Sequence, residues 1–233
     1  LLLLLLILFM AGFFRLWHLD SIPPGLWPDE AINANTALEI KDTGSFKVFY
    51  PDNHGREGLF FLLIAFAFSI FGVSVWSFKL ISAAAGILTV LGQYLFALEF
   101  FRLVKWKEKA AKAAALVSSF FLAISFWHVN FSRIGFRAIL APLVLVFSFY
   151  FFFRGLRTKK IHDFIFSGLI FGLGFHTYIS FRLAVFVLGF ALVFWFFAAL
   201  KENWARKYAL SAVLLLLAVF IVALPIGMYF LEH

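Results

Sequence analysis

Apolar runs too long for the core of a small soluble domain recur from one end of this chain to the other. Residues 1–17, 76–101, 111–128, 138–153, 161–179, 183–200 and 208–230 are each dominated by Leu, Phe, Val, Ile and Ala. A helix needs about 20 such residues to cross a bilayer, and inside lipid a helix satisfies all of its own backbone groups. Composition agrees with that reading: 64% of the residues are hydrophobic, 36 are Phe and only 14% are charged. Soluble domains are about half apolar and a quarter charged. The sequence therefore predicts an all-α polytopic membrane protein with about seven transmembrane helices. An eighth apolar run, residues 58–72, is short for a span and is expected to lie in the interface or re-enter.

The positive charge sets the topology. The net charge is +8, which in a soluble protein would point to nucleic acid. Here most of the Lys and Arg residues fall in three short clusters between apolar runs: Arg102/Lys105/Lys107/Lys109/Lys112, Arg154/Arg157/Lys159/Lys160 and Lys201/Arg206/Lys207. The positive-inside rule places all three on the cytoplasmic side, provided that residues 58–72 do not cross. Asp29-Glu30, His54-Gly55-Arg56-Glu57, Ser132-Arg133 with Arg137, Tyr178 with Arg182, and Glu232-His233 then share the outer face. No nucleic-acid partner is expected, and membrane lipids are.

Residues 18–75 form the expected first outer loop, with interfacial helices inside it. The segment from Asp20 to Glu57 holds Asp20, Asp29, Glu30, Glu39, Asp42, Asp52 and Glu57, more than half of the chain's 12 carboxylates. Ile22-Pro23-Pro24-Gly25 reads as a turn. Asp29-Glu30 directly after Pro28 reads as the first turn of a helix, where carboxylates suit the dipole. The chain begins on six leucines and ends just after an apolar run, so residues 1–233 are expected to be the N-terminal transmembrane module of a longer protein.

Asp29 and Glu30 could supply a general base and a contact to substrate; the plainer alternative is a helix-capping pair. Arg133 and Arg137 are four residues apart and would share a helix face. Converging guanidinium groups match phosphate oxygens, and Arg56 and Arg182 are further cations of the same kind. The plainer alternative is snorkelling to headgroups. His54, Glu57 and Tyr178 lie beside these groups in the sequence. His128 and His176 match no metal-ligand spacing, Ser132 has no apparent His–Asp partners, and the tryptophans read as interface-belt residues. Without cysteine there are no disulfides or thiolate metal sites, and the chain has no P-loop, G-x-G-x-x-G or H-E-x-x-H motif.

Leu26-Trp27-Pro28-Asp29-Glu30-Ala31 after the first span, then Gly58-Leu59-Phe60-Phe61-Leu62-Leu63, then Phe71-Gly72-Val73-Ser74-Val75-Trp76, and finally Phe131-Ser132-Arg133-Ile134-Gly135-Phe136-Arg137, resemble the N-terminal half of the GT-C membrane glycosyltransferases. The similarity is to the protein O-mannosyltransferase and aminoarabinose-transferase-like group, glycosyltransferase family 39. The resemblance implies a seven-helix module and inverting transfer of a sugar from a polyprenyl-phosphate carrier to a hydroxyl of a protein, lipid or glycan. It implies Asp29 as the base that activates the acceptor, Glu30 beside it, and Arg56 at the carrier phosphate with Arg133, Arg137 or Arg182 assisting. The expected location is a bacterial or archaeal plasma membrane with the site facing outward.

Two departures bear on the site. Arg137-Ala138-Ile139-Leu140 stands where relatives carry an acid after the arginine, which removes a ligand for a divalent metal; no cofactor is otherwise expected. Arg56-Glu57-Gly58 stands where relatives have a proline pair. A transporter of a lipid-linked anion is the alternative reading, and it would place charges and broken helices near the midplane.

Overall fold

In the computed structural model, which describes residues 1–201 and 203–233, nearly every apolar run is a helix. The helices are α1 (Leu2–Leu16), α2 (Pro28–Thr43), α3 (Leu59–Phe71), α4 (Val75–Leu103), α5 (Glu108–Ile124), α6 (Phe126–Arg133), α7 (Leu140–Thr158), α8 (Ile161–Leu173), α9 (Ala184–Lys201) and α10 (Ala205–Glu232). A two-stranded antiparallel hairpin, β1 (Phe49–Tyr50) with β2 (Arg56–Glu57), separates α2 from α3. Short 3-10 turns precede α7 and α9 and follow α8. The protein is an all-α integral membrane protein.

Length separates the longer helices from the shorter ones. Four helical stretches, Val75–Leu103, Arg137–Thr158, Ile179–Lys201 and Ala205–Glu232, are long and apolar enough to cross a membrane. A fifth is the pair α5 and α6 taken together, which is bent by 55°. The helix over Ile161–His176 is shorter than these. The run expected to be one span over residues 111–128 breaks at Ser125 instead.

α4 is the central post, packed against α1, α3, α5, α6 and α7, while α8 lies between α7 and α10. A Cβ at Gly168 would collide with the Leu215 carbonyl oxygen of α10. That absence of a side chain lets α8 and α10 meet backbone to backbone. α9 buries only Ala184, Leu188 and Ala199 and leaves Phe186, Phe190, Phe194 and Phe197 exposed. Such a face suits lipid.

Contacts join the three basic clusters at one end of the bundle. Glu99, buried near the end of α4, accepts from Arg102 at 3.1 Å and from Arg157 of α7 at 2.6 Å. Arg102 also pairs with Glu108 at 2.6 Å, and buried Asp163 accepts from Thr158 at 2.9 Å with Arg154 at 3.7 Å. The Lys159 ammonium stands 5.0 Å from the Trp204 ring, which brings the third cluster to the second. At the opposite end, Arg137 pairs with Glu57, Tyr178 packs on Phe136, and Phe49 of the hairpin packs on Tyr229 and Phe230. α3 runs from the hairpin to the start of α4, both at this second end, so it does not cross.

Candidate active site

The first turn of α2 builds the site from two adjacent acids that do different things. Pro28 opens the helix, where a missing N–H costs nothing. Glu30, at the third helical position, reaches back so that its Oε2 accepts from the Trp27 N–H at 2.9 Å. Its Oε1 accepts from the Gly135 N–H at 2.7 Å. One turn on, Asn33 donates to the Gly135 carbonyl at 3.1 Å. Residues 30 and 33 share a helix face and together take both backbone groups of Gly135. The Gly135 backbone lies so close to Phe78 of α4 that a Cβ would strike the ring. Glu30 is 4% exposed, and both of its oxygens are held by backbone donors.

Asp29, on the adjoining face, is exposed. Its Oδ1 accepts from Asn53 Nδ2 at 3.2 Å, and among the described residues it forms no ion pair. It lines a cavity of about 390 Å³ with Trp27, Glu30, Phe131, Ile134 and Phe136. Asn53 sits at the tip of the hairpin, where Asn53, His54 and Gly55 all have positive φ. That tight turn presents the Asn53 amide to Asp29. His54 beside it is exposed, with no hydrogen bond among the described residues.

The arginines that sequence reasoning grouped together separate into scaffold and surface. Arg56 is 1% exposed. It pairs with Asp52, donates to Asn33 Oδ1 at 3.4 Å and Thr36 Oγ1 at 3.2 Å, and lies 5.0 Å from the Phe61 ring centroid. Its Nε is buried without a partner. The neighbouring Tyr50 hydroxyl accepts from the Lys47 N–H at 3.2 Å, and burial pushes it above its ordinary pKa, so it stays neutral. Arg133 is buried and donates to the carbonyls of Phe14 at 2.7 Å, Trp17 at 2.6 Å, His18 at 3.3 Å and Ile22 at 2.9 Å. The Phe14, Trp17 and Ile22 carbonyls are orphan acceptors at the end of α1 and in the turn after it, while the His18 carbonyl also accepts from the Ser21 and Ile22 N–H groups.

Arg137 keeps part of its fork available. Its Nε donates to buried Glu57 at 3.2 Å and its Nη2 to the Gly55 carbonyl at 2.9 Å, while the guanidinium lies 5.2 Å from the Tyr178 ring. Nη1 has no hydrogen-bond partner among the described residues. Arg182 is exposed and lies 4.9 Å from the Phe230 ring. It forms no hydrogen bond or ion pair among the described residues, and it edges an apolar cavity of about 450 Å³ between Phe175 and α10. Asp29, Asn53, Arg137 and Tyr178 are thus linked through the hairpin and the segment after α6. No three His, Asp or Glu side chains gather at metal-binding distance among the described residues.

Sequence reasoning missed Arg15. Buried at the end of α1, it donates to the Ala123 carbonyl at 3.0 Å, Leu122 at 3.4 Å, Ser132 Oγ at 3.2 Å and His128 Nδ1 at 2.8 Å. The 55° break after α5 strands the Ala123 carbonyl, which Arg15 caps, and Arg15 adds a second donor to the Leu122 carbonyl beside the Ser125 N–H. In return, Arg133 from α6 caps the end of α1. A lone arginine closing an apolar run reads as a snorkelling residue, and only its cost in a membrane setting hinted at more. Asn33, Asn53 and Lys79 carried no signal of their own; Lys79, fully buried, donates to the Pro23 carbonyl at 3.0 Å.

A family model described as dolichyl-phosphate-mannose-protein mannosyltransferase matches residues 58–226. The matched stretch contains Arg133, Arg137, Tyr178 and Arg182, and begins after Asp29, Glu30 and Arg56. No curated protein matches the chain.

Proposed function

Because the chain belongs to the dolichyl-phosphate-mannose-protein mannosyltransferase family, we propose that it transfers a sugar from a polyprenyl-phosphate carrier to a hydroxyl acceptor, with Asp29 as the base. One observation carries this reading. Asp29 faces a cavity at this end of the bundle with one oxygen oriented by Asn53 and, among the described residues, no cation neutralising it. A general base needs that combination of fixed direction and a free lone pair.

In the transfer, the acceptor oxygen bonds to the anomeric carbon as its proton passes to Asp29, and the sugar–phosphate bond breaks with its electron pair going to the carrier phosphate. Attack opposite the leaving group inverts the anomeric centre. Charge then grows on the phosphate, and preorganised donors stabilise it. Arg137, with Nη1 free, and Arg182, free of hydrogen bonds among the described residues, are cations suited to that role. Arg133 serves the scaffold, since its terminal nitrogens are committed to protein carbonyls, and so does Arg56, which is 1% exposed with both terminal nitrogens on protein acceptors. Glu30 positions rather than reacts, because both of its oxygens are occupied. The reading keeps the site on the outer side and needs no nucleotide. Charged groups gather at the two ends of the bundle, which favours the enzyme over the transporter.

The test is sugar transfer by the full-length protein in proteoliposomes carrying radiolabelled dolichyl-phosphate mannose. Asp29→Asn is expected to lower the rate by about 100-fold or more while donor binding persists. Unchanged transfer in that variant would remove Asp29 from the chemistry.

A further inference from the structure

The hairpin of β1 and β2 touches both the base and the cations assigned to the carrier phosphate. Its tip is built from three successive residues in the left-handed region, Asn53 at φ 52°, His54 at 64° and Gly55 at 88°. Asparagine and glycine adopt that conformation more readily than other residues. The Gly55 N–H donates to the Asp52 carbonyl at 3.2 Å and closes the turn. From this turn the Asn53 side chain donates to Asp29 Oδ1 at 3.2 Å, and both residues are exposed. Water competes for such a bond, so alone it fixes little. It directs a carboxylate when the tip that carries the amide is itself held still.

Two clamps hold the tip. On one side Arg137 Nη2 donates to the Gly55 carbonyl at 2.9 Å, while its Nε donates to buried Glu57 at 3.2 Å. On the other, the half-buried Phe49 ring lies against Gly55, where a Cβ would come within 2.6 Å of its Cζ. That ring also packs on Tyr229 and Phe230 of α10, with centroids 5.1 and 4.8 Å away. Both arginines assigned to the phosphate therefore bear on the tip. Arg137 does so directly, and Arg182 across the Phe230 ring, which its guanidinium covers at 4.9 Å.

We propose that Phe49 and Asn53 are positioning residues for the transfer: Phe49, together with Arg137, fixes the hairpin tip, and Asn53 passes that position on to the base. The inference rests on the glycosyl-transfer reading above and adds how the base is kept in line with the donor. The cations that meet the departing phosphate and the base that meets the incoming hydroxyl are then set by one small element. A displacement of about 1 Å at such a group costs about 100-fold in rate.

The test uses full-length protein in proteoliposomes carrying dolichyl-phosphate mannose, with kcat, the donor KM and the thermal midpoint measured for each variant. Asn53→Gly keeps the backbone freedom that the tip needs and removes the amide. It is expected to lower kcat about tenfold, the worth of one hydrogen bond to a charged group, with the donor KM and the midpoint unchanged. Phe49→Ala removes the clamp on α10 and is expected to lower kcat by up to about tenfold, because it acts through the same bond. Phe49→Leu, which refills part of the space, should recover part of that loss. The double variant Phe49→Ala/Asn53→Gly is expected to be no slower than Asn53→Gly alone. Losses that multiply in the double variant would overturn the positioning role and leave the transferase reading in place. So would a wild-type kcat in Asn53→Gly, or a loss there that falls on the midpoint or the donor KM instead. Asn53 lies on the exposed tip, so that variant decides the matter even if Phe49→Ala fails to fold. Wild-type protein that transfers no sugar from this carrier would overturn both.

Discussion

At the end of the bundle that carries the basic clusters, buried carboxylates are matched by arginines; at the end that carries Asp29, two buried arginines are matched by backbone carbonyls. Glu99 sits between Arg102 and Arg157, and Asp163 lies beside Arg154. Arg15 and Arg133 instead take carbonyls where α5 and α1 end. Neutral acceptors satisfy hydrogen bonds without cancelling charge. At the first end the buried carboxylates are neutralised internally. Among the described residues, the second leaves Asp29 without a cation and Arg182 without an anion, as a site for a charged substrate requires.

The contrast predicts different sensitivities. The largest effect is expected for Arg133→Ala, which strands the Phe14, Trp17 and Ile22 carbonyl acceptors at the end of α1 and in the turn after it. The loss should be about 3 kcal/mol or more, read as a lower thermal midpoint of the purified protein. Arg133→Lys should recover only part, because an ammonium lacks the fork that spans separated carbonyls. A near-wild-type midpoint for Arg133→Ala would break the capping account. A smaller loss, about 1–2 kcal/mol, is expected for Glu99→Ala. Its arginine partners have side chains 30% and 38% exposed, so water screens them, and Arg102 keeps Glu108. Molar salt should shrink the Glu99 effect and hardly touch the Arg133 effect, since only the former is an ion pair. Equal salt sensitivity would erase the distinction between the two ends.

Much of this arrangement was legible in the sequence. Apolar runs gave the helices, and the three basic clusters placed Asp29, Arg137, Tyr178 and Arg182 at the opposite end. The helix break at Ser125 was not legible, because Ile124-Ser125-Phe126-Trp127 contains neither Pro nor Gly and continues the apolar run. The break is held by Arg15, from more than a hundred residues away. Nor could the sequence separate Asp29 from Glu30, or Arg137 from Arg56. Adjacent acids look alike until Gly135 arrives to occupy one of them, and a guanidinium is a phosphate ligand or a scaffold according to which acceptors the fold brings to it. Hydropathy reports where an apolar run lies more reliably than how far a regular helix extends: in the run expected over residues 161–179 the helix covers Ile161–His176.

The central claim is that the acidic pair divides chemistry from architecture, and one paired measurement tests it most directly. Transfer rate and thermal midpoint would be determined for Asp29→Asn and Glu30→Gln in the same preparation. The account predicts that Asp29→Asn abolishes transfer with an unchanged midpoint. Glu30→Gln, which can keep only one of the two backbone N–H bonds, should lower stability by about 1–3 kcal/mol and retain transfer in the fraction that stays folded. The reverse pattern, an inactive but stable Glu30→Gln and an active Asp29→Asn, would contradict it.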